Sequence, residues 1–197
     1  MAPILGIISS QISGHLFAPS GAYDSIATTT VGSGGAASIT LSSIPSTYTH
    51  LQLRIFAQSS RATYAIDNSY IEFNGDTASN YAYHNINGDG ASVSVAASTS
   101  QTSIQPGDRV IGTSVSPGTW GSLVIDILDY ANTSKYKTTR ALSGCDTNGL
   151  VAGYAGMVNL ASGLWQSTSA INSIKFAAFY GNLNQYTSVA LYGIKGN

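Results

Sequence analysis

The chain contains a single cysteine, Cys145, among 197 residues. That scarcity excludes an intrachain disulfide framework and any zinc site built on cysteine thiolates. Charge is the second shortage: 9% of residues are Asp, Glu, Lys or Arg, against about 25% in an ordinary soluble domain. The eight Lys and Arg residues are scattered singly, so there is no basic stripe to neutralise phosphates, and nucleic acid is not an expected partner. No apolar run approaches the ~18 residues of a spanning helix, so membrane insertion is not expected. The first basic side chain is Arg54. The apolar stretch from Met1 to Phe17 therefore lacks the positively charged leading region of a secretory signal, and export is not expected.

Ser, Thr, Ala, Gly, Asn and Tyr fill the space that charge leaves. Disordered chains combine low hydrophobicity with high net charge, whereas this one is 43% hydrophobic with a formal charge of −1. A surface of hydroxyls and amides desolvates more cheaply than one of Lys and Glu, which suits faces that become permanent interfaces. It also solubilises a free monomer poorly, a second hint of assembly. The length suits one large β-domain that folds without metal or disulfide.

Residues 1–25 read as an arm preceding a β-sandwich body over 26–197. Pro3, Gly6, Gly14, Pro19 and Gly21 interrupt any regular element, and no charged side chain precedes Asp24. Ile4, Leu5, Ile7, Ile8, Ile12, Leu16 and Phe17 lie between these breakers. They are the candidate docking residues, either on a neighbouring subunit or across the chain's own body. Twenty extended residues reach roughly 65 Å.

From Ile26 onward, strand patterns alternate with turn signals. Leu51, Leu53 and Ile55 face one way, with Gln52 and Arg54 the other. Tyr70 to Phe73 ends at Asn74-Gly75-Asp76, a strong turn signal. Between Trp120 and Tyr130, Leu123, Ile125 and Ile127 share one face, and Val124, Asp126, Leu128 and Tyr130 the other. Such a strand, apolar on much of both faces, lies centrally or at an interface. Tyr136, Thr138, Arg140 and Leu142 share a face of the next strand. Further strands are expected at 38–42, 92–96, 109–115, 157–161, 170–180 and 187–194. Residues 76–91 and 143–156 read as long connections, the second of them glycine-rich. No long segment has a 3.6-residue apolar period. The expected fold is all-β, an antiparallel β-sandwich, jelly-roll-like, with an extended N-terminal arm.

Motifs that would carry chemistry fail one by one. Asn85-Ile86-Asn87-Gly88-Asp89-Gly90 imitates the start of a calcium loop but lacks the leading Asp, and its twelfth position is Ala96 instead of Glu. A β-turn is the better reading. His15, His50 and His84 show no ligand spacing. There is no G-x-S-x-G serine elbow, and Gly32-Ser33-Gly34-Gly35 lacks the Lys of a phosphate loop. Asp126 and Asp129, three apart on a strand, are expected on opposite faces. Glu72 and a distant Asp could form a glycosidase pair only through the fold. No catalytic residue, metal ligand or cofactor is expected, and the chain reads as a non-enzyme.

Aromatics are the remaining signal: twelve Tyr and two Trp. Trp120, Tyr130, Tyr136 and Trp165 are candidates for an interface or for stacking against sugar rings, with core packing as the third reading.

Gly121-Ser122-Leu123-Val124-Ile125-Asp126-Ile127-Leu128-Asp129-Tyr130 is followed in order by Lys135-Tyr136-Lys137-Thr138, a Ser162-Gly163-Leu164-Trp165 turn, Ala170-Ile171-Asn172-Ser173-Ile174, and a closing Ala190-Leu191-Tyr192-Gly193-Ile194-Lys195-Gly196. This series over residues 120–197 resembles the structural (virion) proteins of tailed bacteriophages, particularly those of marine and cyanobacterial hosts, with their C-terminal LYGI module. Pro3-Ile4-Leu5-Gly6-Ile7-Ile8-Ser9-Ser10 is similar to the start of such proteins. The resemblance implies a β-sandwich subunit without catalytic residues, often trimeric, located in the virion after assembly in the host cytoplasm. Its partners would be copies of itself and other capsid or tail proteins. The expectation is a capsid decoration or tail-associated subunit; the alternative is a receptor-binding tail or head-fibre protein that recognises host glycans.

Overall fold

The computed structural model describes residues 22–107, 110–115, 118–151 and 154–196. The docking candidates Ile4, Leu5, Ile7, Ile8, Ile12, Leu16 and Phe17 lie outside the described residues. Thirteen strands and no helix occur among those described. They are β1 (Tyr23–Thr30), β2 (Ile39–Leu41), β3 (His50–Ser59), β4 (Ile66–Asp67), β5 (Ser69–Phe73), β6 (Tyr81–Gly88), β7 (Val93–Gln101), β8 (Val110–Gly112), β9 (Gly121–Leu128), β10 (Lys137–Val151), β11 (Tyr154–Trp165), β12 (Ile174–Ala178) and β13 (Ser188–Ile194).

The large sheet runs β1-β13-β3-β9-β10-β11-β6-β7, every neighbour antiparallel, with β8 and β4 attached at one end of β3. The small sheet is β2-β12-β5. Period-2 patterning explains the packing, because successive side chains point to opposite faces. From the large sheet, Leu51, Leu53, Ile55, Leu123, Ile125, Ile127, Val189 and Leu191 point inward. They join Ile39, Leu41, Ile71, Phe73, Ile174 and Phe176 of the small sheet in one buried cluster. The molecule is an antiparallel β-sandwich. The chain steps from β1 in the large sheet to β2 in the small one, back to β3, and later from β12 to β13. This wrapping is compatible with the jelly-roll-like expectation, enlarged by the β6–β7 and β10–β11 hairpins.

Both expected long connections turn out to contain strands. Within 76–91 lies β6, whose inward residues are Tyr81, Tyr83, Asn85 and Asn87. Within 143–156 the chain continues as a hairpin, with Gly144 opposite Val158, Cys145 opposite Met157 and Asp146 opposite Gly156. Ser162-Gly163-Leu164-Trp165 is strand as well, pairing with Lys137–Arg140 on one side and Tyr81–His84 on the other. The inward positions include Asn85, Asn87, Ser143, Thr147 and Gly163, so the usual apolar alternation is missing along much of these strands. Gly163 is required there: a Cβ would lie 2.5 Å from both Ile104 Cγ2 and Thr139 Oγ1. The body also begins earlier than expected, because Tyr23–Ser25 already pair with Tyr192–Ile194.

Two aromatic assignments need correction. Tyr130 is fully buried. Asp129 has φ 49°, a left-handed conformation that Asp tolerates better than most residues. The alternation breaks there, Tyr130 turns inward, and its hydroxyl donates to the Pro45 carbonyl. Trp165 is 2% exposed. Its ring lies 6.1 Å from Tyr81 and 5.5 Å from Phe73, and its indole N–H donates to Asp76 Oδ2 at 2.7 Å. Burial pushes the Tyr81 hydroxyl up to about 12; that hydroxyl donates to the Asp76 carbonyl at 3.0 Å. Lys137 is likewise buried, its ammonium donating to the Asn132, Lys135 and Thr168 carbonyls at 2.7, 2.9 and 3.2 Å. Desolvation depresses its pKa, with the nearby Asp129 charge opposing.

Trp165→Ala should therefore cost about 3–5 kcal/mol, the usual range for emptying a large aromatic site, measurable as a drop in the urea midpoint at unchanged slope. The carboxyl of Asp76 is held below its ordinary 3.8 by the side-chain donor of Asn80, then the Ala78 N–H and the Trp165 indole, against the opposing effect of burial. Its folded-state value lies below the unfolded one. The stabilisation is therefore complete above the unfolded value and is lost as pH falls through the folded one. Asp76→Asn should lower stability at neutral pH and flatten the acid limb of a stability–pH curve below 3.8; an unchanged acid limb would contradict this account.

Candidate functional site

The outward face of the large sheet departs most from what a solitary domain needs. Register places Val124 of β9 opposite Leu142 of β10, Leu142 opposite Leu160 of β11, Leu160 opposite Ile86 of β6, and Ile86 opposite Val95 of β7. These five side chains form one row across five strands, spanning about 19 Å at the usual inter-strand spacing. All are exposed, from 37% at Val124 to 76% at Val95. Val158 and Val93 extend the patch in the next row, at 60% and 70%. Val124, Leu142, Leu160, Val158 and Ile86 belong to strands whose opposite face is buried, so the alternation holds there but its outward half is also apolar; β7, which carries Val93 and Val95, has no buried residue on either face. The row contains two shallow depressions. One, of 350 Å3, is lined by His84, Ile86, Arg140, Leu160 and Ser162. The other, of 250 Å3, is lined by Val124, Leu142, Gly144 and Val158.

Polar groups border the row on one side. Asp126 accepts from Gln52 Nε2 at 2.8 Å and lies 3.3 Å from the Arg140 guanidinium. Arg54 donates to Gln52 Oε1 and sits over the rings of Tyr192 and Tyr23, at 5.2 and 5.7 Å. On the other side the sheet ends at β7, nine residues (VSVAASTSQ) without charge or proline. Natural edge strands are commonly blunted by charge, proline or cover. Among the described residues β7 pairs only with β6.

A different arrangement surrounds Trp120, just before β9. Its indole stacks on Phe56, centroids 5.1 Å apart and planes 12° apart. It lines an open groove of 450 Å3 with Gln58, the 33–35 turn and the 182–186 loop. That loop is pinned by its backbone. Leu183 and Ala36 exchange hydrogen bonds at 2.7 and 2.9 Å, Asn184 N–H donates to the Gln58 carbonyl, and Tyr186 N–H to the Val31 carbonyl. The turn Asn184–Thr187 is closed by Thr187 N–H donating to the Asn184 carbonyl at 3.1 Å. Its third residue, Tyr186, has φ 71°, a position that glycine normally fills. A left-handed conformation costs a side-chain-bearing residue roughly 1–2 kcal/mol. Tyr186 is 66% exposed, so little packing repays that strain.

Of the four aromatics singled out from sequence, Trp120 and Tyr136 face solvent at least in part, whereas Tyr130 and Trp165 are core. The structure does not bring the four together. Sequence reasoning missed Ile86, Val95 and Leu160 as members of a surface row, although their alternation with Asn85, Asn87, Ala96, Asn159 and Ala161 was there to read. It also missed Tyr186, since nothing in the sequence announces a left-handed Tyr.

The described carboxylates have structural partners. Asp24 pairs with Lys195, Glu72 with Lys175, and Asp129 with Lys135. Asp67 accepts from Ser59 Oγ and from the Tyr180 and Gly181 N–H groups. Asp89 and Asp146 cap their turns, and in Asp89 the Ser92 and Ala91 N–H donors hold the carboxyl down to about 2. The expected turn at 85–90 thus reduces to Asp89–Ser92, with Asn85–Gly88 in β6. His50 Nδ1 accepts from the Asp129 N–H at 3.0 Å. His15 lies outside the described residues, and among those described no three His, Cys, Asp or Glu side chains gather into a set that could hold a metal ion.

No protein-family model and no curated protein sequence matches the chain. Among solved structures, the marine PL-14 alginate lyase from Aplysia kurodai aligns over 96% of this chain and 94% of its own, at 10% identity and a TM-score of 0.34. A similarity that loose carries no inference about activity.

Proposed function

We propose that this chain is a non-enzymatic structural subunit that assembles with copies of itself, and that the assembly forms part of a tailed-bacteriophage particle as a capsid decoration or tail-associated protein. The observation that carries the assembly reading is the exposed apolar row Val124–Leu142–Leu160–Ile86–Val95 ending at the uncharged strand β7, which pairs only with β6 among the described residues. Contiguous apolar surface of this kind marks interaction sites in soluble proteins. Its occupant is a second copy of the same chain. The row and edge present little charge for a charged partner to recognise, and the unpaired side of β7 can take up a strand from the neighbouring copy and continue the sheet across the boundary. Burial at about 25 cal/mol per Å2 supplies the driving force against the entropy of association.

The particle and the trimeric state rest on the order of matching residues between 120 and 197 and on the family they resemble. In this reading the apolar arm, with Ile4, Leu5, Ile7, Ile8, Ile12, Leu16 and Phe17, docks on a neighbouring capsid or tail protein. The non-enzymatic reading is supported by the described carboxylates, which are bound into ion pairs, hydrogen bonds and turns.

Sedimentation velocity over a wide dilution series is expected to show reversible self-association of the full chain. Leu142→Asp combined with Leu160→Asp should weaken it at least tenfold. Both positions are half-exposed in the single chain, so the circular dichroism spectrum and melting midpoint should stay close to those of the parent. A parent that remains monomeric throughout, or a double variant that associates as tightly, would sink the proposal.

A further inference from the structure

The groove at Trp120 lies away from the apolar row, and its chemistry is different. Its lining includes Trp120, Tyr186, Gln58, Asn182, Asn184 and Gln185, and no lining residue carries a formal charge. We propose that this groove binds a neutral saccharide, its rings stacked on Trp120 and Tyr186 and its hydroxyls bonded by the surrounding amides.

Four features carry this. The first is the pairing of aromatic and amide groups around a 450 Å3 groove, within the size range of small-ligand sites. A pyranose ring offers an apolar C–H face to an aromatic and a ring of hydroxyls to amides, each of which has both a donor and an acceptor end. The absence of charge disfavours uronates, phosphates and amines, which need a counter-charge once desolvated.

The second feature is rigidity. The indole of Trp120 is held by Phe56 at 5.1 Å. Asn184 Nδ2 donates to Gln58 Oε1 at 2.9 Å and to the Ser59 carbonyl at 3.2 Å, and Gln58 Nε2 donates to the Thr119 carbonyl at 3.0 Å. This network joins the 182–186 loop, β3 and the segment leading to Trp120. The buried carboxylate of Asp67 receives the Tyr180 and Gly181 N–H groups at the start of the same loop. A ligand would meet a preorganised surface.

Third, the side chains of Asn182 and Gln185 are exposed and have no hydrogen-bond partner among the described residues. On the opposite lip, a Cβ added at Gly34 would meet nothing within 4 Å, which leaves the mouth unobstructed.

The fourth feature is the strain at Tyr186. A bulky residue with φ 71° occupies the place in the turn that glycine prefers, and its ring stands in solvent instead of repaying the strain by packing. Backbone strain concentrates at functional sites. Here it displays an aromatic ring at the rim of a groove.

The fluorescence of this chain makes the test direct. Of the two tryptophans, Trp165 is buried, so a ligand in the groove perturbs Trp120. The full chain is titrated with trimers of glucose, galactose and N-acetylglucosamine, with a uronic acid trimer as the charged control, after a broad glycan array has been screened. A saturable change in emission is expected with at least one neutral trimer and none with the uronate. Tyr186→Gly should weaken that binding at least tenfold while its melting midpoint stays equal to or rises above the parent's, since glycine relieves the turn. Trp120→Ala, read by calorimetry, should abolish binding. Silence across the neutral glycans, binding confined to acidic ones, or a Tyr186→Gly variant within twofold of the parent would overturn the assignment. Repeating the titration on the Leu142→Asp, Leu160→Asp double variant separates this site from self-association, because the groove contains neither residue.

Discussion

The large sheet is wider than the sheet that covers it. Its path runs through eight strands, and the covering sheet has three. Most of the unusual chemistry in this chain answers that mismatch. Where β2, β12 and β5 lie over β3, β9 and β13, the inward residues are Leu, Ile, Val and Phe. Toward β10, β11 and β6 the inward positions mix Tyr81, Tyr83, Ala141, Ala161 and Trp165 with the polar residues Lys137, Thr139, Ser143, Asn159, Asn85 and Asn87. The loop leading to β8 helps cover them: Ile104 closes over Gly163 and Thr139, and Gly107 over Ser143 and Asn159. Some of these polar groups bond one another, as where Asn159 Nδ2 donates to Asn87 Oδ1 at 2.5 Å. Such a layer stabilises less per unit area than a hydrocarbon core. It specifies register more strictly, because a one-residue slip would exchange those amides with the leucines and valines of the outer face.

The same mismatch explains which parts of the fold the sequence revealed. Strands inside the sandwich proper announced themselves: Leu51, Leu53 and Ile55, or Leu123, Ile125 and Ile127, alternate with polar or exposed partners as half-buried strands do. The hairpins beyond it did not. At Asn85 and Asn87 of β6 and Asn159, Ala161 and Gly163 of β11 the inward residues are amides, alanine and glycine while the outward ones include Ile86, Val158 and Leu160, so the usual sense of the pattern is inverted there. The glycines of 144–156 suggested a loop because glycine weakens strands, yet backbone pairing continued through them. Tyr130 was read on the wrong face because a left-handed Asp129 breaks the alternation just after β9 ends. The candidate site was legible only in part. Trp120 stood out as an aromatic, whereas its groove is assembled from four separated segments held by backbone hydrogen bonds, and Tyr186 depends on a torsion angle that no local pattern dictates.

The residues behind the phage resemblance occupy telling places. Tyr130 is tethered to the 45–48 segment, Lys137 is clasped by backbone carbonyls, and Trp165 closes the aromatic corner with Tyr81, Phe73 and Asp76. Ile171, Ile174 and Leu191 are core. These positions hold the sandwich together.

One consequence of the apolar row extends to physical conditions. Contacts between such faces owe little to charge, so screening has weak purchase on them, and removing salt from a dilute buffer should matter little. The entropic gain from releasing ordered water fades on cooling. For the proposed self-association, chilling rather than desalting is then the gentler way to loosen one copy from the next, and moderate warmth tightens the contact.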